Sequence, residues 1–306
     1  MFETVRVAAI SFAPRKFDLA ANADRLERDF RSAAARGAQL AVAPEGALEG
    51  YVVMPIIEGA APAARMRDVA VSVAGAEIRR FRELAHELRM CLAFGLAERI
   101  GDDVFNCAIF IDHTGKLCGK YHKMQLAEGY TSRWWFNRLG ARSRAIATPF
   151  GKCGFLICND RWNPDIARIP VLDGARFLLV PSYGSRAKEQ DAAVLARARE
   201  NGVPIVEANV GVTMVVSKGE VVARERKVNA ITVGEIEIPA TATAANRDQH
   251  EQCFLRWRKR EMSQRYRAGV ERRRDKATAG AGGAELQHDA TGRLVQSGSR
   301  SHYRVG

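Results

Sequence analysis

Short apolar runs alternate with amphipathic stretches along most of this chain. Val5-Arg6-Val7-Ala8-Ala9-Ile10 predicts a short buried strand. Residues 19–36 place Leu19, Ala23, Leu26 and Phe30 near helical spacing and predict a helix that buries one face. Leu40-Ala41-Val42-Ala43 predicts the next strand, and residues 75–89 a second helix through Ile78, Phe81, Leu84, Ala85 and Leu88. The runs at 92–96, 107–111, 119–123, 154–157, 177–180, 204–209 and 211–216 read as further extended segments, with a helix over 187–201. Residues 51–70 read as a loop and a helix start near a pocket mouth. Such alternation predicts a layered α/β domain over residues 1–246.

Three of the extended segments end on chemistry. Residues 40–43 run into Pro44-Glu45-Gly46, residues 119–122 into Lys123, and Gly154-Phe155-Leu156-Ile157 into Cys158-Asn159-Asp160-Arg161. A thiol is mostly protonated near neutral pH, so a nucleophilic Cys158 needs a base, and a buried carboxylate such as Glu45 suits that task. Attack on an amide or nitrile carbon builds negative charge, which Lys123 and main-chain N–H groups of the turn after Cys158 would offset. Cys158 would carry the acyl group as a thioester until water hydrolyses it, after ammonia or an amine has left with a proton from Glu45.

These segments resemble the nitrilase, or carbon–nitrogen hydrolase, superfamily over about residues 5–235. The resemblance rests on Ala43-Pro44-Glu45-Gly46 with Gly50-Tyr51, Asn106-Cys107-Ala108-Ile109, Asp112-His113-Thr114-Gly115-Lys116, Gly119-Lys120-Tyr121-His122-Lys123 and Ile157-Cys158-Asn159-Asp160-Arg161, in order. It implies a four-layer α-β-β-α sandwich, a Glu45–Lys123–Cys158 triad, no metal, no cofactor and a homo-oligomer, dimer or higher. The family usually carries a second glutamate downstream of the lysine. Here Ser132 stands directly before the aromatic run Arg133-Trp134-Trp135-Phe136-Asn137, and Glu128 is the candidate second acid. Cys158-Asn159-Asp160-Arg161 is similar to the N-carbamoyl-D-amino-acid amidohydrolases, in which that arginine binds the substrate carboxylate. A guanidinium fork fits a carboxylate, and the alternative is an Arg161 paired with Asp160, Asp165 or a neighbour. Asn159, Tyr51, Trp134 and Asn209 are the other candidate substrate-binding residues, and Glu49 and Glu58 candidate rim residues.

Composition adds limits. The chain has 306 residues, 47% hydrophobic, enough for one large domain with a full core. The stretch Met1-Phe2-Glu3-Thr4-Val5-Arg6 has no apolar signal region and no run approaches a membrane span. The six cysteines lack zinc or disulfide-framework spacing, which suits a reduced cytoplasm, and the scattered histidines form no metal pair at helical spacing. His122 reads as a buried or interface histidine, because its side chain points away from that of Lys123. Asp160 reads as a structural acceptor at the turn. Residues 251–306 hold 13 Lys or Arg against 6 Asp or Glu. Residues 247–306 read as a basic arm, helical over 247–274 and low in complexity beyond. Its aromatics would dock on a partner subunit while its arginines stay solvated, or it would attract anions. No nucleic-acid-binding module surrounds the basic-aromatic residues 127–142, which argues against a nucleic-acid partner. The expected activity is thiol-dependent amidohydrolysis of a small amide or N-carbamoyl substrate. An acyltransferase using the same thioester, and a catalytically weakened binding protein, are the alternatives.

Overall fold

The computed structural model describes residues 2–127, 137–184, 186–240 and 247–262. In chain order the strands are β1 (Phe2–Ser11), β2 (Leu40–Val42), β3 (Cys91–Ile100), β4 (Asp103–Ile111), β5 (Leu117–His122), β6 (Ile146–Thr148), β7 (Gly151–Phe155), β8 (Phe177–Ser182), β9 (Ile205–Asn209), β10 (Val212–Ser217), β11 (Glu220–Glu225) and β12 (Ala230–Pro239). They form two six-stranded mixed sheets, ordered β12-β1-β2-β3-β4-β5 and β11-β10-β9-β8-β7-β6. The helices are α1 (Leu19–Ala35), α2 (Val53–Ile57), α3 (Arg65–Val69), α4 (Ala76–Leu88), α5 (Pro164–Leu172) and α6 (Lys188–Asn201), with a last described helix over 247–262.

The period-two alternation of β1 builds the layers. Val7 and Ala9 join the core shared with Leu178, Val206 and Met214 of the second sheet. Ala8 and Ile10 face the other way, into a core with Leu26 and Phe30 of α1 and Ile78 and Phe81 of α4. Ile166 and Ile169 of α5 and Val194 and Ala198 of α6 cover the second sheet. The expected α-β-β-α sandwich is therefore present, with parallel strand pairs β1–β2, β2–β3, β7–β8 and β8–β9 at its centre.

Three regions differ from the sequence expectation. β11 and β12 have no counterpart in it, because both mix charged with apolar residues, β11 being largely exposed and β12 mostly half-buried. β12 nevertheless pairs antiparallel along the whole of β1, from Phe2↔Pro239 to Ser11↔Ala230. Residues 51–70 contain the two short helices α2 and α3, which pack Val52, Val53, Ile56 and Met66 into a small core of their own. The arm needs the largest correction. Phe254 is completely buried in the protein's own core, and Arg258 donates to the carbonyls of Met124 (2.9 Å) and Gly140 (2.8 Å). Glu251 is buried beside Arg144 (2.7 Å). Over 247–262, the aromatic anchor Phe254 and the arginines Arg247, paired with Asp173, and Arg258 are thus committed to the same chain. No helix among the described residues is long and apolar enough to cross a membrane.

Candidate active site

Glu45 lies just beyond β2, on a loop stitched to β3. The Ala43 amide donates to the Ala93 carbonyl (2.8 Å), that of Gly95 to Pro44 (3.0 Å), and that of Ala47 to Gly95 (2.9 Å). This close approach requires glycine at 95, because a Cβ there would stand 2.5 Å from Glu45 Cα. Lys123 directly follows β5, held by its amide on the Asn106 carbonyl (2.8 Å) and by the Gly140 amide on its own carbonyl (2.8 Å). Its ammonium donates to Glu45 Oε1 at 2.7 Å, and both side chains are fully buried. Asn106 Nδ2 donates to the same oxygen at 2.7 Å, while the Tyr183 amide donates to Oε2 at 3.0 Å.

Cys158 follows β7 by three residues and opens a 3-10 turn, Cys158–Trp162. Its φ of +45° is left-handed, a conformation costing a non-glycine residue about 1–3 kcal/mol unless its surroundings enforce it. Asp160 supplies the enforcement. Its carboxylate accepts from the Ile157 amide (2.9 Å), the Tyr121 hydroxyl (2.9 Å) and the Gln125 amide (2.8 Å). Asp160 is therefore the structural acceptor the sequence suggested. Burial raises its pKa to about 6, against the opposing pull of Lys123.

The Cys158 thiol, 3.6 Å from the Tyr183 carbonyl, is pushed up to about 11 by burial and then by the charge of Glu45, with Lys123 and Arg161 opposing. The thiol and the Glu45 carboxylate thus bear on each other electrostatically. The model of the family described as carbon-nitrogen hydrolase matches residues 6–247.

The chain belongs to the carbon-nitrogen hydrolase family.

Its relatives include proteins named for nitrile and for amide or citrulline chemistry. A bifunctional nitrilase/nitrile hydratase from Lupinus angustifolius is 27% identical over 67% of this chain and 61% of its own length. The chain thus spans about three fifths of that curated relative. A citrullinase from Francisella tularensis is 29% identical over 67% of this chain and 73% of its own. Among solved structures, an amidase from Nesterenkonia sp. AN1, carrying acrylamide added at its active-site cysteine, superposes with a TM-score of 0.66. It is 22% identical and covers 82% of this chain and 99% of its own, a likeness of fold.

Around the three principal residues, this carbon-nitrogen hydrolase differs from the sequence expectation at Arg161. That side chain is 1% exposed. Its guanidinium donates to Glu207, to Ser182 Oγ and, through Nε, to the Cys158 carbonyl at 2.7 Å. Burial disfavours its charge, but Glu207 and Cys158 outweigh that and hold it ionised. These three contacts favour the alternative of structural support over the carboxylate-anchor role, with Glu207 rather than Asp160 or Asp165 as partner. The signal missed is Glu207 itself, an acid inside the apolar run Ile205-Val206-Glu207-Ala208-Asn209.

The other candidates are mixed. Tyr51, at φ +53°, stacks on Tyr183 with 4.7 Å between ring centroids, and Lys123 Nζ lies 5.9 Å from its ring. Asn159 donates to the Leu126 carbonyl (3.4 Å), and Asn209 is buried and accepts from the Gly184 amide (3.2 Å), so both brace loops at the site. Glu128, Ser132 and Trp134 lie outside the described residues. Glu58 is exposed, whereas Glu49 is buried, accepts from the Ala97 amide (2.9 Å) and is raised by burial to about 7. Sequence reasoning did not single out Asn106 or Tyr183 as partners of Glu45. Asn106 opens one of the quoted segments, so its position was visible but its role was not.

Proposed function

We propose that this protein hydrolyses a non-peptide C–N bond in a small amide or N-carbamoyl substrate through a thioester on Cys158. The observation that carries this reading is the division of labour on Glu45. Lys123 and Asn106 both donate to Oε1, and Tyr183 fixes Oε2. The carboxylate is thereby held in one orientation, as a general base must be.

In this mechanism Glu45 takes the Cys158 proton as sulfur attacks the carbonyl carbon. The C=O π pair moves to oxygen, where the Lys123 charge offsets it. Collapse breaks the C–N bond, and the nitrogen leaves with the proton from Glu45. Water then adds to the thioester, again deprotonated by Glu45, and releases the acid and the thiol. An Arg161 already paired with Glu207 and Ser182 weakens the argument for a carboxylate on the substrate. Plain carboxamides and neutral ureido compounds therefore stand level with N-carbamoyl amino acids, and the citrullinase relative keeps the ureido class among them. Residues 128–136 hold further candidate groups, Glu128 and Trp134, for the second acid and the pocket wall.

The test is ammonia release from a panel of carboxamides and N-carbamoyl-D- and L-amino acids. Release from wild type is expected to fall by at least about a thousandfold in both Cys158→Ala and Glu45→Gln. Far-UV circular dichroism should stay unchanged, since each change alters few atoms. Retained turnover in either folded variant overturns the mechanism.

A further inference from the structure

The strand bearing the partner of Glu45 also carries chemistry on its opposite face. Asn106 of β4 turns towards Glu45, so its neighbour Cys107 turns away. Lys123, just past β5, likewise turns towards Glu45 and His122 away from it. Register sets Cys107 directly opposite His122 and Leu96 directly opposite Cys107. Glu98, two residues along β3 from Leu96, therefore shares their face. His122 Nε2 lies 2.6 Å from Glu98 Oε2. The Cys107 sulfur, that carboxylate and the imidazole nitrogen all lie within 4.8 Å of one another.

We propose that Glu98, Cys107 and His122 form a binding site for a thiophilic divalent cation of the zinc class. The donor set is mixed thiolate, imidazole and carboxylate, which suits zinc and not magnesium or calcium. Zinc–ligand bonds of about 2.0–2.3 Å set neighbouring donors roughly 3.3–3.8 Å apart in a tetrahedron. Glu98 and His122, 2.6 Å apart, must open by roughly 0.7 Å to meet that. Two further features favour occupancy. Lys120 binds the other oxygen of Glu98, so it can stay in place and orient the carboxylate from outside the first shell of ligands. Phe105 stacks on the imidazole with centroids 4.3 Å apart, fixing its plane.

The balance is simple. The cation bonds the Cys107 sulfur, whose proton leaves to solvent. His122 binds through the lone pair of its neutral Nε2, with its proton on Nδ1. Glu98 binds through Oε2 and water completes the fourth position, with no change of oxidation state. His122 is part-exposed, and provides the entry path. An ordinary ion network of Glu98 with Lys120 and His122, with the Cys107 thiol donating to the Ala108 carbonyl (3.7 Å), is the alternative that the experiment must exclude.

The probe is Co²⁺, titrated into full-length Cys158→Ala protein so that the nucleophilic thiol cannot compete, followed by displacement with Zn²⁺. One equivalent should bind and give a sulfur-to-cobalt charge-transfer band that zinc abolishes. Adding Cys107→Ala should remove the band. Adding His122→Ala should weaken binding at least tenfold, and this part-exposed site keeps the test decisive should Cys107→Ala fail to fold. Absence of the band, its survival in folded Cys107→Ala, or unchanged affinity in His122→Ala overturns the site.

Discussion

Two buried ion pairs flank Cys158, and they do opposite things. Glu45–Lys123 and Arg161–Glu207 are each at most 1% exposed. Burial costs both pairs several kcal/mol per ion, so neither persists without compensating contacts. Glu45 receives its donors on the side of the nucleophile, from Lys123, Asn106 and the Tyr183 amide. Arg161 sends its donors beneath the nucleophile, to Ser182, Glu207 and the Cys158 carbonyl. In the proposed mechanism the first pair exchanges a proton with the thiol, while the second holds the turn that carries the thiol. Charge and burial alone do not distinguish them; the direction of the remaining hydrogen bonds does.

The sharpest way to break this contrast is Arg161→Met. Leaving Glu207 buried without its cation should cost about 3–5 kcal/mol in urea denaturation. A paired Arg161→Met, Glu207→Leu protein should regain much of that, since two apolar groups need no partner. An Arg161 that anchored substrate would behave otherwise, raising KM for carboxylate-bearing substrates with little loss of stability. That result would return the arginine to the pocket.

The distinction explains what the sequence could and could not disclose. Glu45, Lys123 and Cys158 each terminate an extended segment, so strand geometry alone suggested a common site, and the family resemblance supplied its order. The sheets were legible wherever apolar runs were unbroken, as in 107–111 and 177–180. β12 was not, because its main partner is the distant β1, a non-local effect that overrides local pattern, whereas β11 folds back on its neighbour β10 through Lys218-Gly219 and was hidden by its charged residues. The partner of Arg161 lies 46 residues away, and nothing near the arginine points to it. Cys107 and His122 likewise become neighbours only through the register of β4 with β5. A search for metal pairs at helical spacing passes over ligands brought together across strands.

Glu49 provides a third case, a buried carboxylate held by the main-chain amide of Ala97 rather than by a direct cation contact among the described residues. Burial raises it from 4.5 to about 7, with Glu45 adding to the shift and Lys16 opposing it. The folded state thus holds this proton more tightly than the unfolded chain. Its contribution to stability is fully present below pH 4.5 and is lost as pH rises through about 7. Across that window the stability of wild type relative to Glu49→Gln should fall by on the order of 3 kcal/mol, at 1.36 kcal/mol per unit. Parallel stability curves for the two proteins would show that Glu49 finds a compensating cation, and would place it with the ion pairs.

Asn106 tests the finer claim, that the pair facing the nucleophile depends on donors beyond its own lysine. Its amide shares Glu45 Oε1 with Lys123, each at 2.7 Å. A hydrogen bond to a charged group contributes about 1.5–3 kcal/mol. Asn106→Ala leaves only Lys123 and the Tyr183 amide on the carboxylate, so it can rotate more freely away from the thiol. The expected result is a fall in kcat of about ten- to a hundredfold on the best amide of the panel, with KM little changed. Stability should drop far less than in Arg161→Met, because Asn106 is only half-buried and Glu45 keeps its cation. An unchanged kcat would mean that Lys123 and the Tyr183 amide suffice to orient the base. A stability loss equal to that of Arg161→Met would mean that the Glu45 network, too, serves mainly to hold strand ends together, and the contrast between the two buried pairs would dissolve.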